Sequence, residues 1–450
     1  MDLLERLFKL RAQNASIRTE VLAGVTTFIT MAYIIFVNPV ILGGVGLEDS
    51  GAEFMDFGAV MVATCIAAGV ATIFMGLIAN YPIALAPGMG ENAVFASFVA
   101  AGLITWQQGL AATLVSGLVF FLLTFFKIRQ MVIDGMPDAL KRAIAVGIGV
   151  FIAFMGLVNG GIVSKPAGPV PVSMGDPLNP AVWTTLVGLV LVGALMARRV
   201  RGAILWGILG TTLFALAIGV TRYHGILDRP PSIEPTFLKL SFAGLLTADG
   251  LVVIIVFLFM DVFDSIGTFI GIGEAGGFLR NGRMPRATRA LYADATGTVA
   301  GAALGTSAVT SYIESAAGVA AGARTGLANV ATGLLFLAAV FCYPLAEMIG
   351  ATFAWQGGFY SPITAPALLG VGCLMMGSVR QIPWDDFGEA LPALLIILGI
   401  PLTYSIADGL ALGLISYPLI KLLAGRGREV PVLIYVLGAI FLARYALVQL

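Results

Sequence analysis

Apolar segments about as long as a bilayer is thick recur along nearly the whole chain, and this limits the fold more than any other feature. An α-helix needs about 20 apolar residues to cross the hydrocarbon core. Clear candidates lie at 21–42, 58–80, 108–126, 138–160, 181–197, 202–220, 247–272, 326–346 and 361–379. Shorter or weaker ones at 92–104, 287–304, 312–323, 388–402 and 404–423 bring the expected number to 14. A last segment, 432–449, is interrupted by Arg444 and either spans or lies along the interface. Only 11% of the 450 residues are charged, against about a quarter in a soluble domain. So few charges cannot cover a water-facing surface, so lipid is the expected solvent of an all-α polytopic membrane protein. Many of the 56 glycines fall inside apolar runs, which suits close helix packing in lipid.

Lysine and arginine set the expected orientation, because cytoplasmic connections carry the excess. Arg6, Lys9, Arg11 and Arg18 precede the first span, and Lys127, Arg129, Lys141 and Arg142 follow the fourth. Arg198, Arg199 and Arg201 follow the sixth, and Arg280, Arg283, Arg286 and Arg289 the eighth. Lys421, Arg426 and Arg428 follow the fourteenth, whereas the loop 43–57 has only acidic charges. The segment 1–20 is charged and amphipathic without the features of a signal peptide, and is expected in the cytoplasm. Lys165, Arg222, Arg229 and Lys239 lie in the opposite connections, so the bias is not clean. A net charge of zero implies no bulk attraction to nucleic acid. Cys65, Cys342 and Cys373 lie in apolar segments and read as small hydrophobes.

The spacing suggests a repeat. Spans one and eight start 226 residues apart, two and nine 229, five and twelve 223. Glu91, closing Ala-Leu-Ala-Pro-Gly-Met-Gly-Glu, and Glu314, closing Ser-Ala-Val-Thr-Ser-Tyr-Ile-Glu, are also 223 apart. Seven spans per half make the second half enter from the opposite side, an inverted seven-plus-seven repeat of the kind transporters use.

Both segments should break their spans. Asn80-Tyr-Pro-Ile-Ala-Leu-Ala-Pro-Gly-Met-Gly90 carries Pro82, Pro87, Gly88 and Gly90 in apolar sequence, and proline interrupts a helix. Unwound backbone at membrane depth survives only where protein or a watery cavity covers it. A short helix is expected from Glu91. In span ten, Gly305–Ser311 reads as extended, with a short helix from Tyr312. Two such half-helices would aim positive dipole ends at the midplane; two merely kinked helices are the bland alternative.

Carboxylates inside apolar spans are costly and mark ion, proton or substrate paths. Asp261 and Asp264 share one face of span eight. Either can bind and release a proton during transport, or only hydrogen-bond a neighbouring broken helix. Glu314, at the start of the span-ten half-helix, can accept two parallel N–H bonds from a planar amide-like edge such as a nucleobase presents. It can also simply compensate a helix terminus. Glu91 and Asn92 hold the matching place in span three, as ligand contacts or as caps, and Asp294 in span nine reads as structural. The one histidine, His224, lies in a loop, which places any proton relay on carboxylates. No Walker phosphate-binding stretch is present, so any pumping is expected to be secondary, and no cofactor or metal is expected.

Four stretches carry a resemblance to a known family. They are Thr27–Pro39, Asn80–Gly90, Asp261–Thr268, and Ala293–Gly301 running into Thr310–Val319; a weaker one is Ile400–Gly409. Together they resemble the nucleobase–cation symporter 2 superfamily, in particular the AzgA-like adenine/guanine/hypoxanthine permeases. The resemblance implies a core domain (21–126 and 247–346) and a gate domain (138–220 and 361–423). The base would lie between the half-helices of spans three and ten. It implies proton-coupled, elevator-like transport in the cell membrane, often in a homodimer, which would form through the gate domain. The family's essential carboxylates fall on Asp264 and Glu314, and its span-three asparagine on Asn92. Gly90 and Ser315, at the two breaks, would add contacts to the substrate. One departure stands out. The purine branch usually has an apolar residue where this chain has Glu91, so Glu91, with Asp261, becomes a candidate for selectivity or proton stoichiometry.

The expectation is therefore a proton-coupled purine importer with no enzymatic chemistry. The rivals are a xanthine/uracil permease or an anion carrier on the same fold, and a membrane-embedded enzyme, for which the chain supplies no nucleophile–base pair.

Overall fold

The computed structural model describes all residues except 1, 46, 48–49, 126–135, 165–171, 279–283, 357 and 449–450. Lys127, Arg129, Lys165, Arg280, Arg283 and the Arg444 side chain, used above for orientation and span limits, lie outside the described residues.

The chain is mostly helical. Its first half runs α1 (Asp2–Phe8), α2 (Ile17–Met31), α3 (Ile34–Leu42), α4 (Phe57–Ile78), β1 (Leu85–Pro87), α5 (Met89–Ala100), α6 (Trp106–Phe125), α7 (Asp138–Asn159), the short pair β2 (Val163–Ser164) and β3 (Ser173–Met174), α8 (Pro180–Ala197) and α9 (Ala203–Ala217). The second half runs α10 (Ala248–Ala275), α11 (Ala287–Leu304), β4 (Val309–Ser311), α12 (Ser315–Ala320), α13 (Leu327–Ala338), α14 (Tyr343–Gly350), the pair β5 (Phe353–Trp355) and β6 (Gly358–Tyr360), α15 (Ala365–Met375), α16 (Phe387–Thr403), α17 (Ile406–Leu423) and α18 (Val432–Val448). Among the described residues, six helical segments are long and apolar enough to cross a membrane: Ile17–Leu42, Phe57–Ile78, Trp106–Phe125, Asp138–Asn159, Pro180–Ala197 and Leu327–Gly350. Large apolar side chains also cover the outside, Val190, Leu213, Leu402 and Leu423 among them. A helix apolar all round suits lipid.

Two expected spans are subdivided. Segment 21–42 becomes α2 and α3, joined by a tightened turn in which Ile35 N–H bonds Ala32 O (3.2 Å) and Phe36 N–H bonds Tyr33 O (3.1 Å). Segment 326–346 becomes α13 and α14, with Pro344 in the first turn of α14, where its missing N–H costs nothing.

Packing follows two groups. Helices α2–α6 pack with α10–α13, and α7–α9 pack with α15–α17, onto which α18 docks. Glycine makes the closest approach in the first group. A Cβ on Gly326 would fall 1.9 Å from Gly76 O, and one on Gly333 2.6 Å from Gly69 O. The reciprocal Cβ positions on Gly76 and Gly69 would fall 2.5 and 2.9 Å from the facing carbonyl oxygens. The two glycines of α4 and the two at α13 thus seat two antiparallel backbones against each other, the small-residue packing that lipid favours.

In the second group a buried lysine ties three elements. Lys421, 1% exposed, bonds Glu389 at 2.7 Å and Glu429 at 3.2 Å and lies 3.6 Å from Asp386. Arg426 bonds Asp386 at 2.8 Å and Glu429 at 2.8 Å. The Arg426 guanidinium holds both of those carboxyls below their ordinary range. The cluster fixes the 424–431 connection, and α18 returns antiparallel to α17. A Cβ on Gly438 would lie 2.8 Å from Leu414 O, and Tyr445 donates to Asp408 Oδ1 at 2.5 Å.

Candidate functional site

The site grows from the two breaks. Pro82 and Pro87 remove amide donors, Asn80 adopts φ 50°, and the chain leaves α4 for the extended β1. Its buried backbone groups then need partners, and β4 supplies them. The strands pair antiparallel, with Leu85 opposite Ser311, Ala86 opposite Thr310 and Pro87 opposite Val309. Gly88 N–H bonds Ala308 O, and Tyr312 N–H bonds Ala84 O, both at 3.0 Å. The Thr72 hydroxyl donates to Leu85 O (2.8 Å) and accepts from Leu85 N–H (2.9 Å). The unwound segments from the two halves therefore satisfy each other.

Short helices follow each strand, displaced slightly from expectation. Helix α5 begins at Met89, so Glu91 and Asn92 lie in its first turns. Helix α12 begins at Ser315, and Tyr312, Ile313 and Glu314 form the preceding turn.

Each expected site residue has a defined place. Asp264 accepts a hydrogen bond from the Thr310 hydroxyl at 3.1 Å, and its side chain is open to a cavity of about 780 Å³. Gly90 and Glu91 line the same cavity. Glu91 is 2% exposed, and its Oε1 has no hydrogen-bond partner. Asn92 is buried; its Oδ1 accepts from the Ser307 hydroxyl, and its Nδ2 has no partner. Glu314 is half-buried and accepts from the Tyr33 hydroxyl at 2.7 Å. The Ser315 hydroxyl accepts from Ala84 N–H at 2.9 Å, so it holds the strand pair. Asp261 is fully buried, with Oδ2 accepting from Thr298 at 3.0 Å and Oδ1 unpaired. Asp294 accepts from Ser311 at 2.7 Å and from Ser265, a structural bridge between α10, α11 and β4.

The structure thus brings Gly90, Glu91 and Asp264 to one cavity wall. Asn92, Ser315, Glu314 and Asp261 are not on that wall. The rest of the lining is largely apolar, with Ile148 from α7, Phe259 and Met260 from α10, Leu410 from α17 and Phe441 from α18. Asp138, Lys141, Arg142 and Gln381 give one part of the lining a polar and charged character. A volume of this size is within the range of small-molecule sites, about 300–1,000 Å³.

Sequence reasoning did not assign the hydroxyls that hold these side chains: Tyr33, Ser265, Thr298, Ser307, Thr310 and Ser311. The Ser/Thr-rich character of 305–311 was a visible signal for three of them. Tyr33 lies 281 residues from Glu314, and nothing local announces that pairing.

Comparisons with known proteins bear on the family and the fold. A putative permease of Methanocaldococcus jannaschii is 47% identical over 99% of this chain and 98% of its own. The adenine permease AdeQ of Escherichia coli is 40% identical over 99% of this chain and 97% of its own. The guanine/hypoxanthine permease PbuO of Bacillus subtilis is 41% identical over 97% and 98%. Among solved structures, the transmembrane domain of the cyanobacterial bicarbonate transporter BicA superposes with a TM-score of 0.60 at 17% identity, covering 87% of this chain and 97% of that one. The murine anion transporter Slc26a9, in its inward-facing state, gives 0.63 at 11% identity, covering 94% and 72%. At such identities these two likenesses concern the fold alone. The model of the Permease family, the xanthine/uracil permeases, matches residues 18–412, and the chain, a multi-pass membrane protein, belongs to that family.

Proposed function

We propose that the chain carries purine nucleobases across the membrane together with protons. The observation that carries this reading is near-full-length similarity to adenine and guanine/hypoxanthine permeases. The site is compatible with it. A largely apolar cavity with carboxylate acceptors on one wall suits a flat, weakly polar ring that bears N–H donors. An anion would meet the Asp264 and Glu91 carboxylates there, which disfavours the anion-carrier alternative.

In the proposed cycle Asp264 accepts from the base and takes the coupled proton, since protonation removes buried negative charge from the loaded carrier. Glu314, which lies outside the cavity lining in this structure and is held by Tyr33, anchors the base through its ring N–H groups once the loaded carrier brings it to the site. Asn92 supplies a donor through Nδ2, and Gly90 and Ser315 keep the backbone of the two breaks in place. We further propose 14 membrane spans in a seven-plus-seven inverted repeat. The group α2–α6 with α10–α13 would be the moving core, and α7–α9 with α15–α17 the gate, in a homodimer joined through the gate. The presence of Lys141 and Arg142 in the cavity lining supports a site open to the cytoplasm, the side that also holds the N-terminus.

The test is uptake of labelled hypoxanthine into proteoliposomes, with and without a proton gradient, competed by a panel of nucleobases and by chloride and bicarbonate. Gradient-stimulated uptake blocked by purines is expected. Strong anion flux without purine uptake would replace this reading with the anion carrier.

A further inference from the structure

Among the described residues, Glu91 is the cavity-lining carboxylate with a buried oxygen that no hydrogen bond satisfies. Asp264 has Thr310, Glu314 has Tyr33, Asp261 has Thr298, and Asp294 has two serines. Glu91 Oε2 is folded against the backbone at Gly88, where an added Cβ would lie only 2.0 Å from it. The Thr310 hydroxyl lies beside the same glycine, 2.8 Å from that Cβ position, but donates to Asp264. Glu91 Oε1 is left buried and unpaired in a side chain that is 98% buried and lines the cavity. Leaving a buried acceptor unsatisfied is costly, and such groups call for an explanation. A bound donor explains this one.

We propose that Glu91 Oε1 accepts a hydrogen bond from an exocyclic amino group of the substrate, so that Glu91 favours purines that bear an amino group over those that lack one. The proposal rests on the nucleobase reading above. Oε1 is unpaired while Oε2 lies against the Gly88 backbone, so Glu91 offers one open acceptor. Two adjacent ring N–H groups would use both oxygens, whereas an –NH2 substituent needs one. Asp264, on the same wall and open to the cavity, remains for a ring N–H. Substrates with two separated donor positions, one of them an amino group, then satisfy both carboxylates.

Equilibrium binding of adenine, guanine and hypoxanthine to the purified full-length chain tests this in wild type, Glu91→Leu and Glu91→Gln. A hydrogen bond to a charged group typically sets a tenfold or larger difference in affinity. The ratio of adenine or guanine Kd to hypoxanthine Kd is therefore expected to rise by about tenfold in Glu91→Leu. Glu91→Gln keeps the volume and a neutral acceptor, so its ratio should fall between the two, and it carries the test if the leucine variant does not fold. A ratio unchanged within about twofold in a folded variant overturns the proposal, whatever happens to the absolute affinities. Wild-type chain that binds none of the three removes the nucleobase reading and this proposal together. Wild-type binding with an unmoved ratio removes only the proposal.

Discussion

The glycine contact between α4 and α13 gives a prediction whose size follows from the coordinates. Gly326→Ala would put a methyl group 1.9 Å from Gly76 O. Gly326 has φ −67° and ψ −6°, which alanine adopts freely, so any cost is packing and not backbone strain. An ordinary contact needs about 3.5 Å, so the helices must separate by roughly 1.5 Å. The obstacle is backbone and cannot rotate away. Overpacking of this kind costs about 1–3 kcal/mol, and we expect the upper half of that range. Gly76→Ala meets Gly326 O at a looser 2.5 Å, so its net loss should be smaller. Once the first methyl has parted the helices, the second occupies space already opened. The double variant should therefore lose less than the sum, with a coupling of about 1 kcal/mol. Separation also pulls on Asn329, whose amide bonds Ile83 O at 2.6 Å just before β1, so substrate binding should weaken in step with stability. The assay is thermal and denaturant unfolding of the detergent-purified single and double variants, with hypoxanthine binding measured alongside. Gly326→Ala as stable as wild type, or full additivity in the double variant, would refute the close-packing argument.

Three further outcomes are expected. Glu314→Gln should weaken purine binding by about ten- to hundredfold, the value of a hydrogen bond to a charged acceptor; unchanged affinity in a binding assay would remove Glu314 from the site. Asp264→Asn should abolish accumulation driven by a proton gradient in proteoliposomes, and retained pH-driven uptake would place the coupled proton elsewhere. Asp386 and Glu429 are held below their ordinary values, chiefly by Arg426. Their contribution is therefore present above the ordinary carboxylate values and lost as pH falls below about 4. Arg426→Gln should flatten the acid-side fall in melting temperature, and an unchanged slope between pH 6 and pH 3 would refute this.

Much of the helical framework was legible because lipid demands long apolar stretches, and the helix limits fall close to the hydropathy limits. The breaks were legible from Pro82, Pro87 and Gly305, which act locally. The partners of the breaks were not. That Leu85 faces Ser311, or that Tyr33 holds Glu314, depends on packing between distant parts of the chain. The same holds for Ser315, whose hydroxyl satisfies Ala84 N–H; sequence position next to Glu314 suggested a substrate contact. The terminal segment was ambiguous because hydropathy cannot tell a helix that spans from one that lies along the interface; the structure adds that it docks on α17. Gly438, seated on the Leu414 carbonyl, and Tyr445, bonded to Asp408, record that docking.

The pairing of β1 with β4 has a consequence for how the protein is made. Leu85 and Ser311 are 226 positions apart, so a ribosome delivers the first strand long before the second exists. During that interval Ala84 N–H and O and Gly88 N–H, which the finished protein pairs with Ser315, Tyr312 and Ala308, lack those partners in a setting where unsatisfied backbone is severely penalised. The nascent first half must keep this segment wetted, shielded by the insertion machinery, or held short of its final depth. Closure then joins ends separated by half the protein, a slow, high-contact-order step. Destabilising substitutions near either strand are accordingly expected to act on yield during biosynthesis before they act on the finished carrier.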